Sequence, residues 1–440
     1  MGRDRYVDFL RAWAIVSVVV GHWVITALVR TPDGEITAPE LLVAVPGTQW
    51  LTLVFQIMPL FFLAGGHAAG GSWARARETG HGAAGWVGAR ALRLLLPAGA
   101  YSAPALLALA VCSGLGVDPG TLAVVGWALA MQFWFLPVYL LLSALTPVLH
   151  AAHRRWGVRV PVAMAATALL VDGLVLAAGT PYIGPLNYVL VWGVAYQSGF
   201  CWRDGLLSGR LLPAALTAGG ALAFTALVAL GPFPVSLILV TGRRVSNTDP
   251  PSAAMLAWTV AQTGLCLLLA PAVRRLLDRE RVWRAVRPVG GASMTLYLWH
   301  MVPVLVAAAA FYLTGLAPQP VLGSGEWWAL RLPWLGVLGV VLAGLVRVLR
   351  PWERALSAVY VWTGAGAGAS RRAWQVWCGV AVSVAALARV ADGGFAPGGH
   401  VPVPAAVGLT LGVALVATSG RRRAAGLRGD RDRSAVAEAA

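Results

Sequence analysis

The chain contains no lysine, and all 34 of its basic residues are arginine. Charge of any kind is scarce: 18 acidic residues in 440, and 12% charged residues against 58% hydrophobic. Soluble domains carry about a quarter charged residues. A chain this poor in charge has too little polar surface to face water as a globule, which excludes a string of soluble domains. Cysteine is also sparse. Cys112, Cys201, Cys266 and Cys378 each lie in or beside an apolar run, with no CxxC spacing. That pattern argues against a disulfide framework or a thiolate metal site and for packed apolar thiols. The missing lysine, with abundant alanine and glycine, fits codon bias in a GC-rich bacterial genome.

Long apolar runs recur along the whole length. A membrane-crossing helix needs about 20 apolar residues, and twelve candidate spans meet that need: 8–29, 50–70, 91–113, 121–146, 160–179, 183–201, 211–231, 254–273, 291–315, 328–349, 373–391 and 400–418. The first has no convincing small-residue cleavage site and reads as a retained helix. The expected fold is all-α, a polytopic membrane helix bundle with a ten-helix core and a C-terminal pair of membrane helices. Residues 1–350 form the core, 351–372 a cytoplasmic linker ending in TGAGAGASRR, 373–419 the extra pair, and 420–440 a disordered cytoplasmic tail.

The net charge of +16 suggests nucleic acid until the arginines are located. With the N-terminus placed in the cytoplasm, 29 of the 34 fall in segments on the inside. Only Arg30, Arg243, Arg244, Arg331 and Arg389 fall outside. This is the positive-inside pattern of a multi-pass protein in the cell membrane, both termini cytoplasmic, with the lipid bilayer and not nucleic acid as its partner.

A few polar residues interrupt the apolar runs. Asp8, Arg11 and His22 stand in the first span, VDFLRAWAIVSVVVGHWV. Arg11 and His22 are eleven residues apart, three turns plus about 20°, so they share one face about 16 Å apart along the axis. That puts Arg11 near the cytoplasmic surface and His22 about halfway across. Polar residues so deep are costly and usually face a cavity or a partner. The ordinary alternative is a snorkelling Arg11 and a His22 bonded to a neighbouring helix. Asp8, one turn before Arg11, orients it or simply begins the helix. Arg90 and Arg93 share a face at the cytoplasmic end of the third span, where two guanidiniums suit phosphate or simply supply inside charge. Gly65, Gly66, Gly70 and Gly71 surround His67 and favour close helix packing. Trp134 and Pro137 mark the fourth span, as interfacial aromatic and kink. Tyr297 and His300 lie one turn apart early in the ninth span, a spacing that serves aromatic packing as well as chemistry. Asp172 is a mid-span carboxylate that binds a polar substrate, relays protons or bonds another helix. His150 and His153, beside Arg154 in a cytoplasmic loop, lack the further ligands a zinc site needs, so no metal is expected.

Taken in order, these pieces resemble the acyltransferase-3 family of integral membrane O-acyltransferases over about residues 5–350. The family's D-x-x-R-x10-H corresponds to Asp8, Arg11 and His22, and its FF-x-x-x-G to Phe61, Phe62 and Gly66. R-x-x-R corresponds to Arg90 and Arg93, W-F-L-P to Trp134 through Pro137, and Y-L-x-H to Tyr297 through His300. The chain departs from the family in having Ala64-Gly65-Gly66 where Ser-Gly is usual. It also carries the terminal helix pair and no fused hydrolase-like domain. The resemblance implies transfer of an acyl group, often acetyl, from cytoplasmic acyl-CoA (acetyl-CoA among the donors). The acceptor would be a hydroxyl of a glycan, glycolipid or glycosylated natural product. It also implies that Arg11, Arg90 and Arg93 gather the CoA phosphates. His22 would be a general base or an acyl carrier, with Arg11 and Asp8 the other catalytic residues of the motif. Trp134, Tyr297 and His300 would line the substrate cavity. The competing reading is a transporter or lipid flippase without chemistry, resting on Asp172; a non-catalytic scaffold would leave the shared face of Arg11 and His22 without a purpose.

Overall fold

A computed structural model describes residues 4–31, 34–363 and 371–420. The helices are α1 (Arg5–Ile25), α2 (Leu41–Ala44), α3 (Leu51–Phe55), α4 (Met58–Glu78), α5 (Ala83–Gly114), α6 (Pro119–Ala130), α7 (Phe135–Trp156), α8 (Arg159–Ala178), α9 (Leu186–Arg203), α10 (Leu211–Leu230), α11 (Ala253–Leu277), α12 (Glu280–Gly291), α13 (Ser293–Trp299), α14 (Val302–Ala307), α15 (Gly325–Trp362), α16 (Ala373–Gly393) and α17 (Val403–Thr418). Strand structure among the described residues is limited to a two-residue hairpin, with Val29 opposite Thr37 and Arg30 opposite Ile36.

Every one of the twelve expected segments contains a helix, and the fold is the all-α membrane bundle the sequence implies. Among the described residues, nine helical segments are long and apolar enough to cross a membrane. The three others differ for local reasons. The ninth segment is broken between α13 and α14, which meet at 42°, with Pro303 at the start of the second piece. The polar residues of α9 lower its mean hydropathy, and α17 has only 16 residues. Helix α15 runs on to Trp362, into the stretch expected to be a linker. The Gly-Ala part of that linker, 364–370, lies outside the described residues, and so does the tail from 421.

The chain forms two compact units, one from Met1–Gly71 with Val148–Val346, the other from Ser72–Pro147 with Arg347–Ala440. In the first, Asp4 caps α1 by accepting from the amides of Tyr6 and Val7, and Arg274 of α11 grips the same carboxylate with both terminal nitrogens at 3.0 and 2.7 Å. The buried Tyr6 hydroxyl donates to the Cys266 carbonyl at 2.6 Å. These contacts fix the start of α1 against α11. The Tyr6–Leu10 side of α1 then packs with Leu60, Leu63 and Leu277. Helices α4 and α9 approach backbone to backbone. A side chain at Gly66 would strike the Tyr196 carbonyl oxygen, and one at Gly199 the Leu63 carbonyl oxygen. Small residues are what allow such an approach in a bilayer.

Asp172 bonds another helix. Its carboxylate accepts from the Ala253 amide at 2.9 Å, the first turn of α11, while Ser252 caps the same end through the Met255 amide. An anion at a helix N-terminus meets unpaired amides and the positive end of the dipole. The long loop before α11 is folded inward around Asn247. Its amide donates to the carbonyls of Pro234 and Ser236, and its oxygen accepts from Ser252.

In the second unit, Tyr101, Phe133 and Phe395 stack into one aromatic cluster, and α16 packs along α17. Arg371 is buried and donates to the carbonyls of Val416 and Thr363.

Candidate active site

The break between α13 and α14 positions the site. His300 occupies that break and is fully buried. Its Nδ1 lies 2.8 Å from the Tyr297 carbonyl oxygen, and its own carbonyl accepts from Trp23 Nε1 at 2.7 Å. Across from it, His22 stands in the last turn of α1, with Nδ1 2.7 Å from His300 Nε2. The two rings are 5.0 Å apart and inclined by 25°. His300 is thus held from both sides along its own chain, and His22 keeps partial access to its surroundings. Helix α1 ends three residues after His22, at Ile25.

The hydrogen bonds fix the proton positions of the neutral pair. A carbonyl only accepts, so His300 Nδ1 carries a proton and donates it to Tyr297. Neutral His300 then has a lone pair on Nε2, which accepts from His22 Nδ1–H. Neutral His22 is left with its lone pair on Nε2. The pair therefore presents one unprotonated imidazole nitrogen, backed by a directed chain from His22 through His300 to the Tyr297 carbonyl. When one ring nitrogen is fixed as a donor in this way, the other is set as base or ligand. When a proton arrives at His22 Nε2, the His22 Nδ1–H bond to His300 becomes charge-assisted and strengthens.

The other candidate residues are distributed as follows. Asp8 is buried on α1, but the cap of that helix is Asp4. Arg11 has its guanidinium 5.9 Å from the Phe61 ring. No hydrogen bond or ion pair of Arg11 is found among the described residues, so its charge is open to a ligand. Arg90 and Arg93 belong to the second unit. Arg90 lies 4.9 Å from the Trp86 ring and 3.5 Å from the Ser72 hydroxyl. Arg93, which is exposed, donates through Nε to the Tyr360 hydroxyl at 2.9 Å. Trp134, also of the second unit, ends a 3-10 turn (Met131–Trp134) that leads into α7. Pro137 sits in the first turn of α7, where proline is tolerated. Tyr297 contributes its carbonyl, with the ring buried.

His150 and His153 are not in a loop, since α7 continues to Trp156. His153 Nε2 meets Asp204 at 3.0 Å, and its Nδ1 lies 3.8 Å from the Cys201 sulfur. Residues that sequence reading missed are Trp23, which holds His300, and Thr26, whose amide and hydroxyl both donate to the His22 carbonyl. Trp23 gave no signal beyond adjacency to His22.

A family model described as an acyltransferase domain, that of the acyltransferase-3 family, matches residues 4–349. Comparison with curated proteins and with solved structures finds no match.

Proposed function

The chain is a membrane acyltransferase of the acyltransferase-3 family, and on that premise we propose that it moves an acyl group from cytoplasmic acyl-CoA to a hydroxyl group. Acetyl-CoA is the simplest such donor, and the acceptor is a glycan, a glycolipid or a glycosylated natural product. The observation that carries this reading is the 2.7 Å bond between His22 and His300. It leaves His22 Nε2 as a base with its proton relay directed away from the substrate.

In the proposed step, His22 Nε2 takes the proton of the acceptor hydroxyl as its oxygen attacks the thioester carbonyl. The tetrahedral intermediate collapses with cleavage of the C–S bond. The departing CoA thiolate takes the proton back from the His22 imidazolium, and the products are an ester and CoA. His300 steadies the imidazolium while it exists. A variant has His22 Nε2 attack the thioester itself and hand the acyl group on from an acyl-imidazole. The guanidinium of Arg11 supplies charge for the CoA phosphates. The arginine asymmetry supports a cell-membrane location with both termini in the cytoplasm, where CoA is found. The transporter reading loses its main residue, because the Asp172 carboxylate is engaged by the Ala253 amide.

The test compares membranes with and without the chain, supplied with radiolabelled acetyl-, propionyl- or hexanoyl-CoA and host glycans and lipids. The reading expects alkali-labile label on a hydroxyl-bearing product only where the chain is present. No chain-dependent label from any of the three donors would reject it.

A further inference from the structure

Apart from the histidine pair, Arg331 is a buried cation with too little to balance it. It lies on α15, only 7% exposed. Its guanidinium carbon is 4.0 Å from the centre of the Trp327 ring and 5.5 Å from that of Trp334. Nη1 donates to the Thr26 carbonyl at 2.8 Å. Thr26 closes the C-terminus of α1, one turn beyond His22, a rise of about 6 Å. No carboxylate pairs with Arg331 among the described residues. Its Nε is buried without an acceptor there, and the adjacent Trp334 Nε1 is likewise a buried donor without one.

A guanidinium stays charged even when buried. The end of α1 offers about half a negative charge, and the ring faces add a cation–π attraction. Neither satisfies the two idle N–H groups, which are costly to leave unbonded when buried. Residual positive charge and two idle donors, next to the helix end that carries the base, make a receptor for an anionic oxygen. Arg331 is also one of the few arginines outside the positive-inside pattern. Being buried, it is not serving as loop charge.

We propose that Arg331 and Trp334 form an anion-binding site for a phosphate or carboxylate group of the acceptor, which the site holds one helical turn beyond His22. Only the word acceptor rests on the acyl-transfer reading; the anion site itself does not.

The experiment uses the full chain in nanodiscs of zwitterionic lipid, with decyl phosphate, decanoate and decanol as probes and the thermal unfolding midpoint as readout. The site predicts a saturable rise with decyl phosphate, decanoate or both, and none with decanol. A rise with one anion alone assigns the acceptor group as phosphate or carboxylate. Trp334→Phe, which keeps the ring and removes the donor, should bind about tenfold more weakly. Arg331→Lys should keep part of the response and Arg331→Gln should lose it. Arg275→Gln, at an exposed arginine, should respond as wild type does. Should Arg331→Gln fail to fold, Trp334→Phe and Arg331→Lys decide. No rise with either anion in the wild type, or a full rise in both Trp334→Phe and Arg331→Lys, overturns the proposal. Label transfer from acetyl-, propionyl- and hexanoyl-CoA to added host glycans and lipids is followed in the same preparations. Anion binding without transfer would reject the acyl-transfer reading and keep the site; transfer without anion binding would do the reverse.

Discussion

His300→Leu removes the acceptor for His22 Nδ1–H and keeps an apolar side chain of similar reach in the break between α13 and α14. Two costs follow from the geometry. In the resting enzyme, His22 Nδ1–H loses its 2.7 Å partner, so nothing now favours the tautomer with its lone pair on Nε2. In the transition state, the imidazolium loses a charge-assisted hydrogen bond, worth about 1.5–3 kcal/mol. Together these put the loss near 2–3 kcal/mol, roughly 30- to 150-fold in kcat, with little change in KM for acyl-CoA because His300 is fully buried and bonded to protein atoms. His22→Ala removes the base itself and should cost about 10²–10⁴-fold. Since the two rings act as one relay, the double variant should be no slower than His22→Ala alone. The assay is steady-state transfer of labelled acetyl from acetyl-CoA by reconstituted wild type, both single variants and the double. Wild-type kcat in His300→Leu, or a double variant slowed by the product of the two single effects, would refute the relay.

Asp172→Leu should lower stability by about 1–2 kcal/mol, by leaving the Ala253 amide unpaired, and Asp172→Asn by much less. Thermal midpoints check both, and loss of transfer in Asp172→Asn at an unchanged midpoint would return the carboxylate to the chemistry. Gly66→Val places a side chain against the Tyr196 carbonyl. It should cost about 1–3 kcal/mol or more by overpacking, seen as loss of the monodisperse peak in size-exclusion chromatography. Asp4 carries a pH dependence. Burial works to raise its pKa, but the hydrogen bond and charge of Arg274, with the amides of Tyr6 and Val7, outweigh burial and hold it below its ordinary value. A carboxyl depressed in the folded state stabilises above its unfolded pKa near 3.9 and loses that contribution as pH falls through the folded value. At pH 7 the wild type should therefore unfold at a higher temperature than Asp4→Asn, and the gap should close as the pH drops below about 4.

The bundle was legible because apolar length and arginine placement are local properties of the sequence. Helix ends were less so. The last turn of α7 carries His153, Arg154 and Arg155, and the later part of α15 carries Arg350, Glu353 and Arg354; these stretches read as loop and linker although arginine and glutamate are good helix formers. His22 announced itself as a polar residue on an apolar helix, and its shared face with Arg11 followed from helical period alone. Its partner could not follow from period, because His300 lies 278 positions away and only the fold brings the two together. Asp172 was ambiguous for the same reason, its amide partner belonging to a different helix. Arg331 was the one missed signal within reach of the sequence, an arginine on the side of the membrane where the pattern places few.

In the proposed reaction, acyl transfer passes through His22. The most direct measurement is transfer of radiolabelled acetyl from acetyl-CoA by the purified chain in nanodiscs, wild type against His22→Ala, at matched amount and thermal midpoint. The account predicts labelled ester from the wild type and a rate reduced at least a hundredfold in the variant. Equal labelling by both would contradict it.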